Sequence, residues 1–213
     1  MRKVLIFLVV ALLVLAIGAD FFVKTLAERA AATELTSELE LEETPDVSID
    51  SFPFLVAFFR GKLDRMTITG DDVAAGRLNL AEVVLTLDDT TFDTGDVISG
   101  DVDQITIGGG DGESLLEETD LNQALRDEGI PARARLSPGT VALETAAGSV
   151  EGQLDVGENG LTVTGPGGIS VTFQLPSLGG RVTFDDLQIT DGEATLFMDV
   201  APGRLREAGE LKS

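Results

Sequence analysis

The 213-residue chain has no cysteine, no histidine, no tryptophan and no tyrosine. Without cysteine, disulfides, thiolate zinc sites, iron–sulfur ligation and a thiol nucleophile are excluded. Without histidine there is no Ser–His or Cys–His catalysis and no imidazole to bind a metal. Positive charge is scarce as well: 15 Lys and Arg face 37 Asp and Glu, a formal net charge of −22. Nucleic-acid binding needs a cationic surface to neutralise phosphates, so that partner class is excluded too. A Ser–Lys or paired-carboxylate enzyme survives these absences, but the balance favours a binding protein. Hydrophobic residues make up 43% of the chain, which suits a globular core, and the length allows one domain or a small pair.

The N-terminus is the most informative segment. Arg2 and Lys3 precede an uninterrupted apolar run from Val4 to Ile17, followed by Gly18, Ala19, Asp20 and then Phe21, Phe22 and Val23. A helix of that run spans about 21 Å, short of a hydrocarbon core of roughly 30 Å; extension through Val23 reaches about 30 Å. Residues 1–19 read either as a signal peptide, with Ala16 and Gly18 as the small residues of a cleavage site, or as an uncleaved signal anchor, a transmembrane helix running on into the next segment. A buried core helix is the plainer alternative. The basic pair places the start in the cytoplasm and the acidic remainder outside. The expected location is therefore the extracytoplasmic side of the plasma membrane, or the cell envelope after cleavage.

Residues 20–44 form a helical segment, with Phe22, Leu26, Ala30, Leu35 and Leu39 near helical spacing among glutamates and Pro45 as the stop. From 46 onward the period falls to two. Val47/Ile49, Met66/Ile68, Leu78/Leu80 and Val83/Leu85/Leu87 alternate, with a one-residue slip around Ala81 that reads as a bulge. Further strand-like runs are 102–107, 132–136, 141–145, 150–156, 161–164, 169–175 and 192–200. Gly-, Pro-, Asn- and Asp-rich turns separate them, among them Gly108–Gly112, and the short gaps suit antiparallel neighbours. One helix, Ser114–Glu128, interrupts the series. The expected class is α+β: a long curved antiparallel sheet packed on few helices, preceded by the hydrophobic helix. One domain covers 45–202, with 203–213 as a C-terminal tail.

The most unusual stretch is 48–65. It holds Phe52, Phe54, Phe58 and Phe59, four of the chain's 11 phenylalanines, followed by Arg60, Lys62 and Arg65. Pro53 fits the first turn of a short helix and Gly61 its C-terminal end. On such a helix Phe54 and Phe58 share one face, and Leu55 and Phe59 the adjacent one. An apolar surface with a basic rim suits docking on an anionic lipid surface or gripping an acidic headgroup. The other reading is a helix that plugs one end of the sheet, with its phenylalanines in the core and its cations merely solvated. Gly108–Gly112 lacks the Gly-Lys-Ser/Thr ending of a phosphate loop. Asp101, Asp103, Asp111 and Glu113 lack the spacing of a calcium loop. The pairs Asp88/Asp89 and Asp185/Asp186 invite a glycosidase reading, but pairs arise by chance in so acidic a chain. No catalytic residue, metal or cofactor is expected.

The order of features resembles the actinobacterial LmeA-like phospholipid-binding family. The matching pieces are Gly18-Ala-Asp-Phe-Phe-Val-Lys24 with Ala27-Glu-Arg29, Pro45-Asp-Val-Ser-Ile49, Phe52-Pro-Phe-Leu55 with Gly61, and Leu63-Asp-Arg65. A later match joins Leu175-Pro-Ser-Leu178 to Val182-Thr-Phe-Asp-Asp-Leu-Gln-Ile-Thr-Asp-Gly192. The resemblance implies an envelope protein that binds phospholipids, phosphoinositides among them, and supports maturation of lipoglycan (mannan). It also implies a curved sheet with an apolar groove for acyl chains, broadly like tubular lipid-binding domains. The expected lipid contacts are Phe52, Phe54, Leu55, Phe58, Phe59, Arg60, Lys62 and Arg65, and the expected partner is an anionic phospholipid in a membrane. The alternative is a signal-anchored, non-enzymatic scaffold for envelope biosynthetic enzymes.

Overall fold

The computed structural model describes residues 2–38, 41, 43–99, 104–157, 160–176 and 180–206. The expectations that touch Leu39, residues 101–103, Ser177, Leu178 and residues 207–213 of the C-terminal tail lie outside them.

One helix, α1 (Arg2–Glu38), joins the apolar run to the glutamate-rich segment, a rod of about 55 Å at 1.5 Å per residue. Among the described residues no helix is long and apolar enough to cross a membrane. Asp20, just past the apolar run, is buried.

Among the described residues the strand pairs are all antiparallel. The first sheet has the order β1 (Asp46–Ile49), β2 (Lys62–Ala75), β3 (Leu78–Phe92), β5 (Gly109–Glu117), β12 (Glu193–Val200), β11 (Val182–Ile189). At one end of β3, β4 (Gln104–Ile107) continues the sheet and pairs with β13 (Gly203–Arg206). The second sheet is a meander of five consecutive strands, β6 (Ala132–Ser137), β7 (Thr140–Thr145), β8 (Gly148–Gly157), β9 (Gly160–Gly165) and β10 (Ile169–Phe173). The single long sheet of the sequence reading is thus two sheets. The meander is spliced between β5 and its neighbour β12, a long-range pairing that local pattern does not encode.

Both sheets turn an apolar face to one core. In the first sheet Ile68, Leu85, Gly112, Met198 and Phe184 stand in register across five strands. The second contributes Leu136, Leu143, Leu154, Leu161, Val163 and Phe173. Helix α4 (Glu118–Asp127), which follows the short helices α2 (Phe54–Phe59) and α3 (Thr94–Ser99) in the chain, packs on β3, β5 and β6 and buries Leu121, Ala124 and Leu125. The buried Asn122 pairs with the backbone of edge strand β6: its Nδ2 donates to the Ala134 carbonyl (2.8 Å) and its Oδ1 accepts from the Ala134 N–H (2.7 Å). The side chain thus does the work of a missing strand.

Two readings of the middle are corrected. Gly109–Glu117 is a strand, where the glycine run had suggested a turn. Helix α4 begins at Glu118, four residues later than expected. Gly110, Gly112 and Ser114 alternate on the inner face of β5, where β3 and β12 approach closely. A Cβ on Gly112 would lie 2.6 Å from the Val84 carbonyl oxygen and 3.1 Å from Met198 Cγ. The glycines answer to this crowding, not to a turn.

The slip expected near Ala81 has a counterpart in the core. The inward residues change from Leu78 and Leu80 to Val83, Leu85 and Leu87, opposite Asp72, whose φ is 50°. The register on either side is the same, so both strands share the kink and neither carries an extra residue.

Candidate functional site

The stretch 48–65 lies where α1 meets the first sheet. After β1 the chain enters a short helix, α2 (Phe54–Phe59), which starts after Pro53 and ends at Arg60. Gly61 follows with φ 65°, and its N–H donates to the Phe58 carbonyl (2.8 Å). A side chain at Gly61 would strike the Phe92 carbonyl. Glycine is therefore required there both for the left-handed turn and for the close approach of β3.

Helix α1 holds α2 in place through a carboxylate. The Phe54 N–H donates to Asp20 Oδ2 (2.8 Å) and the Leu55 N–H to Asp20 Oδ1 (2.7 Å). Two unpaired amides of the α2 first turn thus share one buried carboxylate, whose charge suits a helix N-terminus. About two turns further along α1, Glu28 Oε1 accepts the Ile49 N–H (2.9 Å) and lies 3.5 Å from Lys24 Nζ. Below α2 a small second core forms from Ile49, Phe54 and Leu63, with Val23, Ala27, Ala57, Phe58, Met66 and Phe92 packed around it.

The phenylalanines divide between this core and solvent. Phe54 is buried at 1% exposure. Phe58 stands half-buried between Phe54, Phe59 and Phe92, at ring separations of 5.7 to 5.9 Å. Leu55 is half-buried too. Phe52 and Phe59, by contrast, are 69% and 70% exposed, and Val56 between them is exposed. Phe52 lies 6.4 Å from Phe21 of α1, and Phe21 and Phe22 are themselves exposed, as are Leu12, Val14, Leu15 and Ile17 further up the helix. Sequence reasoning had not placed Phe21, Phe22 or Val56 in the site. The double phenylalanine after Asp20 was a usable signal, but its meeting with Phe52 is a tertiary contact.

The cations are arranged differently from their order in the sequence. Strand β3 brings Asp88 and Asp89 beside β2. Lys62 Nζ lies 2.6 Å from Asp89 Oδ1, and Arg65 Nε lies 2.9 Å from Asp88 Oδ1. The hydrogen bond to Asp89 raises the Lys62 ammonium above its usual range, and Asp88 does the same for the Arg65 guanidinium. Arg60 is exposed and has no carboxylate partner among the described residues.

A concave feature lies on the outer face of the first sheet. It is a groove of about 570 Å³ lined by Val84, Phe197, Asp111, Glu113, Asp185 and Asp199, among others. A hydrogen bond to Asp199, with burial and the repulsion between the two groups, holds the Asp185 carboxyl above the ordinary carboxylate range. Asp185 therefore meets Asp199 and not its sequence neighbour Asp186 as its paired acid. Among the described residues no three acidic, His or Cys side chains converge as a cation site.

A family model described as LmeA-like phospholipid-binding matches residues 18–197, and the chain belongs to that family. No curated protein and no solved structure matches the chain.

Proposed function

We propose that this member of the LmeA-like phospholipid-binding family is an exported protein that docks on the outer surface of the plasma membrane through its α1–α2 end. Phe52 and Phe59 enter the lipid with Val56 between them, Phe21 and Phe22 continue the apolar surface onto α1, and Arg60 lies at headgroup level. Phe54, Leu55 and Phe58 support that surface from beneath. The carrying observation is that exposed Phe52 meets exposed Phe21 at 6.4 Å, while Val56 and Phe59 stand exposed one turn apart on α2, which Asp20 ties to α1. Exposed apolar groups gathered in this way mark an interaction surface. Each buried phenylalanine contributes about 1.5–3 kcal/mol, so Phe52 and Phe59 together supply a useful membrane affinity. Lys62 and Arg65, expected to meet acidic headgroups, share their charge with Asp89 and Asp88, which leaves apolar contact as the dominant attraction. The basic start and apolar run of α1 serve as the export signal, and support of lipoglycan maturation follows from the resemblance as the setting of this activity.

The test is co-sedimentation with phospholipid vesicles. Phe52→Ser combined with Phe59→Ser removes two exposed side chains, so the circular dichroism spectrum stays as it is while partitioning falls by at least about tenfold. Unchanged partitioning overturns the assignment. Lipid extraction from the purified full chain separates this reading from a scaffold with no lipid of its own: recovered phospholipid supports binding, and its absence favours the scaffold.

A further inference from the structure

We infer that Asp88 and Asp89 are specificity-determining residues that mask the cations beside α2, so that docking is indifferent to headgroup charge. This rests on the α1–α2 end being the membrane-facing surface. Read along the chain, Arg60, Lys62 and Arg65 form a basic cluster. In the fold each of the last two faces a carboxylate from the neighbouring strand, at 2.6 and 2.9 Å. Arg65 and Asp88 are direct cross-strand partners, which holds their charges together whatever their side chains do in solvent.

Arg60 is the one cation of the cluster without such a partner among the described residues, and the other charges at this end offset it. Asp64 acts on Lys62, Asp50 and Asp111 act on Arg65, and Lys24 engages Glu28. Exposed ion pairs of this kind are individually weak, but masking needs only that the opposite charges stay within a Debye length of about 8–10 Å. Seen from a bilayer, the pairs are neutral and the surrounding surface is acidic. In a chain of net charge −22, such an end has no electrostatic reason to select anionic lipid. Uncovering Lys62 and Arg65 would supply one.

The measurement is partitioning of the full chain onto vesicles of phosphatidylcholine alone and of phosphatidylcholine with one-third phosphatidylglycerol. The wild type partitions onto the two within about twofold. Asp88→Asn with Asp89→Asn frees both cations; at roughly the attraction expected of two juxtamembrane cations, binding to the anionic vesicles strengthens about tenfold or more. Binding to phosphatidylcholine does not change, and salt removes the gain. Asparagine suits position 89, whose φ is 50°, since it tolerates the left-handed region. A tenfold anionic preference in the wild type, or no gain in the double variant, overturns the inference while leaving membrane docking intact. Failure of the wild type to bind either vesicle overturns the docking reading, and this inference with it.

Discussion

Asp20 makes the apolar end a defined surface. Its buried carboxylate ties α1 to the first turn of α2. Replacing it by alanine removes a helix cap and leaves two amides without an acceptor, a cost of roughly 2–4 kcal/mol. Asp20→Asn keeps one acceptor oxygen and costs about half as much. Urea denaturation followed by circular dichroism measures both; equal midpoints for the wild type and Asp20→Ala would mean that the clamp contributes nothing. The motif around Asp20 was visible in the sequence, but its role was not. Its partners lie 34 and 35 positions away, and an aspartate at the end of an apolar run reads naturally as the point where a helix leaves the membrane. For the same reason Lys62 and Arg65 look free when read along the chain: Asp88 and Asp89 reach them only through the β2–β3 pairing.

At the scale of elements, the alternating strands and the five-strand meander are legible because period two and short turns are local signals. The boundaries of α2 are legible too: Pro53 and Gly61 bracket Phe54–Phe59, and Phe54 and Phe58 share a face as expected. Which face turns inward depends on Phe92 and α1, and no spacing rule supplies that. The glycine run at 108–112 misled for a physical reason. Glycine marks a turn when the backbone needs freedom, and marks a crowded strand when neighbouring backbones need the space of a side chain. Only the alternation of Gly110, Gly112 and Ser114 separates the two cases. Gly112→Val forces a Cβ to within 2.6 Å of the Val84 carbonyl oxygen, so the strands must shift, and overpacking of this sort costs about 1–3 kcal/mol or more. A fall in thermal midpoint of several degrees is expected; an unchanged midpoint would contradict the crowding argument.

Across the whole molecule, carboxylates are spread over the sheet surface, and those beside α2 are matched to its cations. Carboxylates line the outer groove of the first sheet, while exposed phenylalanines gather where α1 meets α2. A bilayer that meets the second surface is not drawn by charge, and with no tryptophan or tyrosine in the chain it is met by phenylalanine and aliphatic groups alone. That same absence makes the central claim easy to test. Phe59→Trp places the sole tryptophan of the protein at the apex of the docking surface, at a position already 70% exposed and therefore tolerant of the larger ring. Its fluorescence is measured with and without phosphatidylcholine vesicles carrying brominated acyl chains, and Ser149→Trp on the exposed part of β8 serves as the reference. Membrane docking through the α1–α2 end predicts a blue shift and quenching at position 59 and neither at 149. Emission at position 59 that vesicles leave unchanged would contradict it.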